Sequence, residues 1–193
     1  LLSTFYADVT GLPEDISTYV PEVQGKVMDS SHILLPQQEK GRVYTVVTSF
    51  NLKDPTKQTD YLAFFGDSTQ CYVSEDHIYV YDTIYDAKVS KVTQTEIRKV
   101  SYKDGKLDGT GHVVIDGVIN DSFSIDEYEG YLRVVTTIRE NDDTSGGVNP
   151  LLRIDGASDA SSQPADSTNT LYILNKDLKE VGKLENLAEG EQV

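Results

Sequence analysis

Carboxylates are the one functional group this chain holds in excess: 32 Asp and Glu stand against 17 Lys and Arg, a formal charge of −15 over 193 residues. They concentrate in two places. Asp121, Asp126, Glu127 and Glu129 bracket a turn, and Glu140, Asp142, Asp143, Asp155, Asp159 and Asp166 crowd a polar stretch further on. Loops rich in carboxylate oxygen suit Ca²⁺, which takes about six to eight oxygen ligands. Neither run has the DxDxDG spacing of an EF-hand loop, so a solvated acidic loop is the plainer reading and no cofactor is expected, with Ca²⁺ as a candidate ion. A carboxylate pair is also the acid–base machinery of glycoside hydrolases, but distance along a sequence does not give the separation that chemistry requires.

Other chemistries find less support. YLAFFGDSTQ, Tyr61 to Gln70, runs a hydrophobic strand into Gly66, Asp67 and Ser68, as the GDSL esterases do. Those enzymes need an Asp-x-x-His downstream of the serine to supply the base. His112, the last histidine, has no Asp three residues before it, and the one Asp-x-x-His, Asp29 to His32, lies upstream. Gly66 to Thr69 therefore reads as a turn between sheets. His32, His77 and His112 stand far apart, without HExxH or His-x-His pairing, and read as structural. Cys71 is the single cysteine, which excludes an intrachain disulfide and a multi-cysteine metal site. At the start of a predicted strand it is expected to be a small buried core residue. Gly105, Gly109 and Gly111 fall within a hairpin with no helix to follow, and so serve turns and bulges rather than a phosphate.

The elements that must position these groups are strands. QCYVSEDHIYVYDT, Gln70 to Thr83, is echoed about fifty residues later by DSFSIDEYEGYLRVVTT, Asp121 to Thr137. Each copy is a short apolar strand, an acidic turn and a β-rich strand, followed by a further pair that hairpins through Lys-Asp. Such a repeat predicts stacked four-stranded antiparallel sheets of the β-propeller type. Strands are expected at 43–50 and 59–65, joined by Asp54 and Pro55; at 70–74, 77–83, 95–102 and 107–115; and at 118–124, 131–138, 170–175 and 178–184. Residues 1–42 read as an irregular lead-in, with a helical turn at Leu12 to Tyr19. Residues 43–193 read as a partial propeller with blades at about 43–66, 70–116 and 118–187 and a polar insertion at 140–169. That is about two and a half blades where closed propellers have about four to eight, so the chain reads as a fragment. Its open strand edges are expected to pair with a second copy.

The charge excludes whole classes of partner. A chain this acidic repels phosphate backbones and anionic headgroups, which argues against nucleic acid and membrane surfaces and favours basic partners. No segment approaches the roughly 20 apolar residues of a membrane span. The chain begins with Leu1 rather than Met, so an upstream segment is expected to have been removed, one that could include a signal or anchor.

FSIDEYEGYLRVVTT, followed after a variable loop by NTLYILNKDLKEVGKLENLAEGEQ, resembles the family of predicted secreted bacterial and archaeal proteins with a C-terminal β-propeller domain. YVSEDHIYVYDT and TEIRKVSYKDGKLDGTGHV fit the same family in order and spacing. The resemblance implies the fold and an exported or surface-attached location, and carries no catalytic residues across. The expected function is a binding or interaction module for a protein or cell-wall glycan. Its contacts would be Asp126, Glu127, Tyr128 and Glu129, with Asp142 and Asp143 in the insertion. Tyr131 is expected to pack between sheets. The alternatives are a glycan-active hydrolase whose carboxylates meet only when further blades are present, and a structural spacer.

Overall fold

The structure, a computed structural model, describes residues 19–35, 43–65, 70–86, 91–139 and 167–191. The helical turn expected from Leu12, the Gly66 to Thr69 turn, and Asp142 and Asp143 of the insertion lie outside the described residues.

Apart from a 3-10 turn at Ser30–His32, the described elements are strands. They are β1 (Glu22–Val23), β2 (Lys26–Val27), β3 (Ile33–Leu34), β4 (Tyr44–Asn51), β5 (Asp54–Phe65), β6 (Gln70–Val73), β7 (His77–Asp86), β8 (Lys91–Lys103), β9 (Lys106–Asp116), β10 (Ile125–Tyr128), β11 (Tyr131–Arg139), β12 (Ser167–Leu174) and β13 (Glu180–Leu187). β1 and β2 form a small hairpin, and three larger sheets follow: a first sheet in the order β3-β5-β4, a central sheet β6-β7-β8-β9 and a last sheet β10-β11-β12-β13. The fold is all-β, with antiparallel four-stranded sheets packed face on face as in an incomplete β-propeller.

The alternation of β7 explains the stacking. Successive side chains of a strand point to opposite faces, and both faces of this one are apolar. Val80, with Val100 and the half-buried Ile78 and Leu107, packs against Leu62 and Phe64 of the first sheet. Tyr79 and Tyr81, with Ile97 and Ile115, pack against Leu132, Val134, Tyr172 and Leu174 of the last. The central sheet is therefore covered on both sides. Burying a side chain of this size contributes about 1.5–3 kcal/mol.

Turn chemistry sets the hairpins. Gln24-Gly25, Asp104-Gly105 and Glu129-Gly130 each have both residues at positive φ, the condition for the two-residue turn whose twist suits paired strands.

Four expectations need correction. The hinge between β4 and β5 is Leu52-Lys53, not Asp54-Pro55: Asn51 Oδ1 accepts from Lys53 N at 2.9 Å and closes the turn early. Pro55 then falls between the Asn51–Asp54 and Phe50–Gln58 pairs, where the ladder is interrupted and its missing N–H costs no bond. The stretch before residue 43 is less irregular than expected, because Ile33 and Leu34 pair in parallel with Ala63 and Phe64. The last sheet begins at Ile125, since Val118 makes only an isolated bridge to Thr137 and Asp121 caps a tight turn to Ser124. Cys71 is exposed rather than in the core, β6 being a short edge strand.

Candidate functional site

Strand β10 divides the expected contact residues between two faces. Asp126 pairs across the ladder with Arg133, Tyr128 with Tyr131 and Glu127 with Leu132. Leu132 is core, so Glu127 faces the central sheet, while Asp126 and Tyr128 face away from it. On that outer face Asp126 accepts from Arg133 Nε at 2.8 Å and also from Nη2, and the guanidinium lies 4.9 Å from the Tyr128 ring centre. Tyr131, expected between sheets, is 46% exposed on the same side. Only Glu129, at φ 50°, belongs to the turn itself.

Glu127 is the joint between the central and last sheets. Its carboxylate accepts from Ser74 Oγ at 2.5 Å and meets His77 Nδ1 at 2.9 and 3.0 Å, while its backbone N–H donates to Tyr72 Oη at 3.1 Å. Burial pushes this carboxyl up, but hydrogen bonds from Ser74 and His77, the charge of His77 and a bond from Tyr79 together hold it below the usual carboxylate range. Burial first, and then the neighbouring Glu127, push the Tyr79 hydroxyl well above the usual tyrosine range. Lys99 lies alongside, 4% exposed, with Nζ donating to Lys176 O at 3.0 Å and standing 5.8 Å from the Tyr79 ring centre. Burial lowers its pKa, and the charges of Glu127 and Asp177 offset part of that fall.

Above this joint is an open groove of about 250 Å³, lined by Ser74, Glu75 and Asp76 from the β6–β7 turn and Glu127, Glu129 and Gly130 from the β10–β11 turn. The β6–β7 turn is held firmly. Ser74 N donates to His77 O at 2.9 Å, His77 N to Ser74 Oγ at 3.1 Å, Tyr102 N to Asp76 O at 3.1 Å and Tyr102 Oη to Ser74 O at 2.7 Å. The two turns are repeat counterparts, so the stacking of sheets sets one acidic turn beside the next.

The hydrogen bonds around Ser74 differ from those of an activated serine nucleophile. Ser74 donates its hydroxyl hydrogen bond to Glu127, and the His77 ring is turned to that same carboxylate, which among the described residues leaves no base aimed at the hydroxyl. Each of the other histidines also stands beside a carboxylate. His112 Nε2 meets Glu96 Oε1 at 2.6 Å, and Glu96 also holds Arg98 at 3.0 Å, over the Phe64 ring. His32 packs tilted against the Tyr61 ring, 4.6 Å between centres, and stands 3.9 Å from Asp60. Asp29 of the Asp-x-x-His caps the 3-10 turn, accepting from Ser31 N at 2.9 Å and Oγ at 2.6 Å. Among the described residues no group of three or more His, Cys, Asp or Glu is placed to hold a metal ion.

Sequence reasoning placed Glu127 in a solvated turn and set His77 aside as structural; Ser74 and Lys99 were missed. The signal lay in the repeat, which puts Ser74-Glu75-Asp76-His77 of one copy at the same end of its sheet as Glu127-Tyr128-Glu129-Gly130 of the next.

A family model described as a beta propeller domain matches residues 9–193. An uncharacterised protein of Methanocaldococcus jannaschii is 31% identical to this chain over 105 residues, covering 53% of this chain and 12% of that protein. No solved structure matches the chain.

Proposed function

The chain belongs to the β-propeller domain family, and on that premise we propose that it is a binding module of a secreted or surface-attached protein, with the acidic groove as its contact surface and a basic protein segment as its partner. One observation carries this reading. Glu75, Asp76 and Glu129 surround a groove of about 250 Å³, and none of the ion pairs among the described residues involves them. Beneath them Glu127 is committed to Ser74 and His77, which fixes the groove floor.

The charge of −15 steers a basic partner toward such a surface. A hydrolase would need one groove carboxyl held protonated near neutral pH. Glu127, in the groove floor, is instead held, against burial, below the usual carboxylate range by Ser74 and His77. A cell-wall glycan is the second ligand class, favoured by the 57% exposed Tyr128 beside Glu129.

The test is the melting temperature of the chain with an oligolysine peptide, with soluble cell-wall glycans and with Ca²⁺ after EDTA, since a ligand that binds only the folded state must raise it. The peptide is expected to raise it. A rise with a glycan alone would transfer the function to the second class.

A further inference from the structure

Gly109 and Gly111 serve opposite faces of the central sheet. Val100 pairs with Gly109 and Lys99 with Gly111, so Thr110 is bulged between them and the two glycines face different ways. Each seats a leucine from the neighbouring sheet. A Cβ on Gly109 would lie 2.3 Å from Leu34 Cδ1, and one on Gly111 3.1 Å from Leu178 Cδ1. A strand glycine of this kind marks close approach by another element.

The last sheet repeats the device. Ile173 pairs with Gly182 and Leu174 with Glu180, which leaves Val181 bulged as Thr110 is. Gly182 is thus the counterpart of Gly111. A Cβ there would meet only Ile173 of its own sheet, at 3.5 Å, so among the described residues the seat holds no leucine. Its surroundings on the outward face are exposed: Leu184 is 58% exposed, Tyr128 57% and Tyr131 46%, with the Asp126–Arg133 pair in the same cross-strand row.

The opposite end of the stack offers the complement. Val47 packs toward the central sheet, so Val46 faces away from it and is 40% exposed, with Phe50 50% exposed further along β4. Leu52, in the β4–β5 turn, is 96% exposed. Leu178, which fills the Gly111 seat, likewise belongs to a hairpin turn, between β12 and β13. The sheets also stack in one sense. Ile78, Val80 and Val100 face the first sheet, and their register counterparts Leu132, Val134 and Leu174 face the central one. The outward face of a last sheet is therefore complemented by the outward face of a first sheet, and a second copy of the chain supplies one.

We propose that copies of this chain associate head to tail, Leu52 of one entering the Gly182 seat of the next, rather than through strand edges. The two patches differ, so the contact is heterologous and continues beyond a dimer. Each copy carries a charge of −15, so association strengthens as salt screens the repulsion.

Sedimentation equilibrium at about 1 M NaCl, where the screening length is about 3 Å, tests this with Leu52→Asp and Gly182→Arg. Both positions are open, so folding is checked directly by circular dichroism. The wild-type mass is expected to rise with concentration past that of a dimer, and each variant alone to associate at least about tenfold more weakly. A mixture should form a 1:1 dimer that grows no further, since only one sound seat and one sound leucine meet. If Gly182→Arg fails to fold, Leu52→Asp added to wild type should cap and shorten the assemblies. A wild-type monomer at every concentration, variants that associate like wild type, or a mixture that stays monomeric would each overturn the proposal.

Discussion

Glu127 Oε1 stands 2.9 Å from His77 Nδ1 although the two residues are 50 positions apart. The contact joins the last sheet to the central one just beneath the groove, and Ser74 closes the same carboxylate from the other side. Groove and inter-sheet packing therefore share a residue: Glu127 both floors the groove and ties the two sheets that form its walls.

Removing that tie should cost more than an exposed ion pair would. Glu127→Ala leaves His77 and Ser74 without their acceptor in a half-buried site, an expected loss of about 1–3 kcal/mol by urea denaturation. A double-mutant cycle with His77→Ala should return a coupling of about 0.5–3 kcal/mol. Additive single effects would mean that the pair contributes nothing between the sheets.

Acid should loosen the stack. Glu127 and Asp60 both have burial pushing the carboxyl up, outweighed for Glu127 by Ser74, His77 and Tyr79, and for Asp60 by the Leu107 and Tyr61 amides and the charges of Lys106 and His32. Their folded values lie below the unfolded ones of about 4. The stability they contribute is present above that value and is lost as pH falls through the lowered folded values. Denaturation midpoints should drop steeply below about pH 4, and Glu127→Gln with Asp60→Asn should flatten that drop.

Lys99 works in the opposite direction. Burial lowers its pKa, so the folded chain gives up the proton before the unfolded chain does as pH rises, and stability from this group increases toward the unfolded lysine value of about 10.4. Lys99→Met should abolish that alkaline rise and leave stability at neutral pH within about 1 kcal/mol of wild type, because a buried charge is replaced by packing of similar volume. A large destabilisation would make the bond to Lys176 O essential.

Two glycines at positive φ should respond differently to alanine. Gly117, at φ 87°, would set a Cβ 2.7 Å from Thr136 Oγ1 in the core, whereas Gly130, at φ 78°, meets nothing within 4 Å. Gly130→Ala should cost about 1 kcal/mol, from the backbone alone. Gly117→Ala should cost about 2–4 kcal/mol, adding overpacking to the same strain. Equal melting temperatures would contradict the close approach at Thr136.

How much of this could be read from the residues depends on which force decides each element. β7 and β11 are legible because two-residue periodicity and Tyr, Val and Ile content carry them, and the repeat announces stacked sheets. β10 is not: IDEY looks like part of an acidic turn, and it is a strand because Asp126 pairs with Arg133 and Glu127 with His77, partners that lie across a ladder or in another sheet. Pro55 looks like a hinge, yet the Asn51 side chain closes the turn first. The matching bulges at Thr110 and Val181 leave no trace in composition, since a bulge is a difference in register between two strands.

The most direct measurement is calorimetric titration of an oligolysine peptide into the wild type, into Glu75→Lys/Asp76→Lys/Glu129→Lys, and into a control reversing three acids that do not line the groove, Glu22→Lys/Glu180→Lys/Glu189→Lys. The two variants carry the same net charge, so general steering is equal between them. If the groove is the contact surface, the first variant loses at least about tenfold in affinity relative to the control, a difference of about 1.4 kcal/mol. Equal weakening in both would reduce the groove to one more acidic patch and contradict the account.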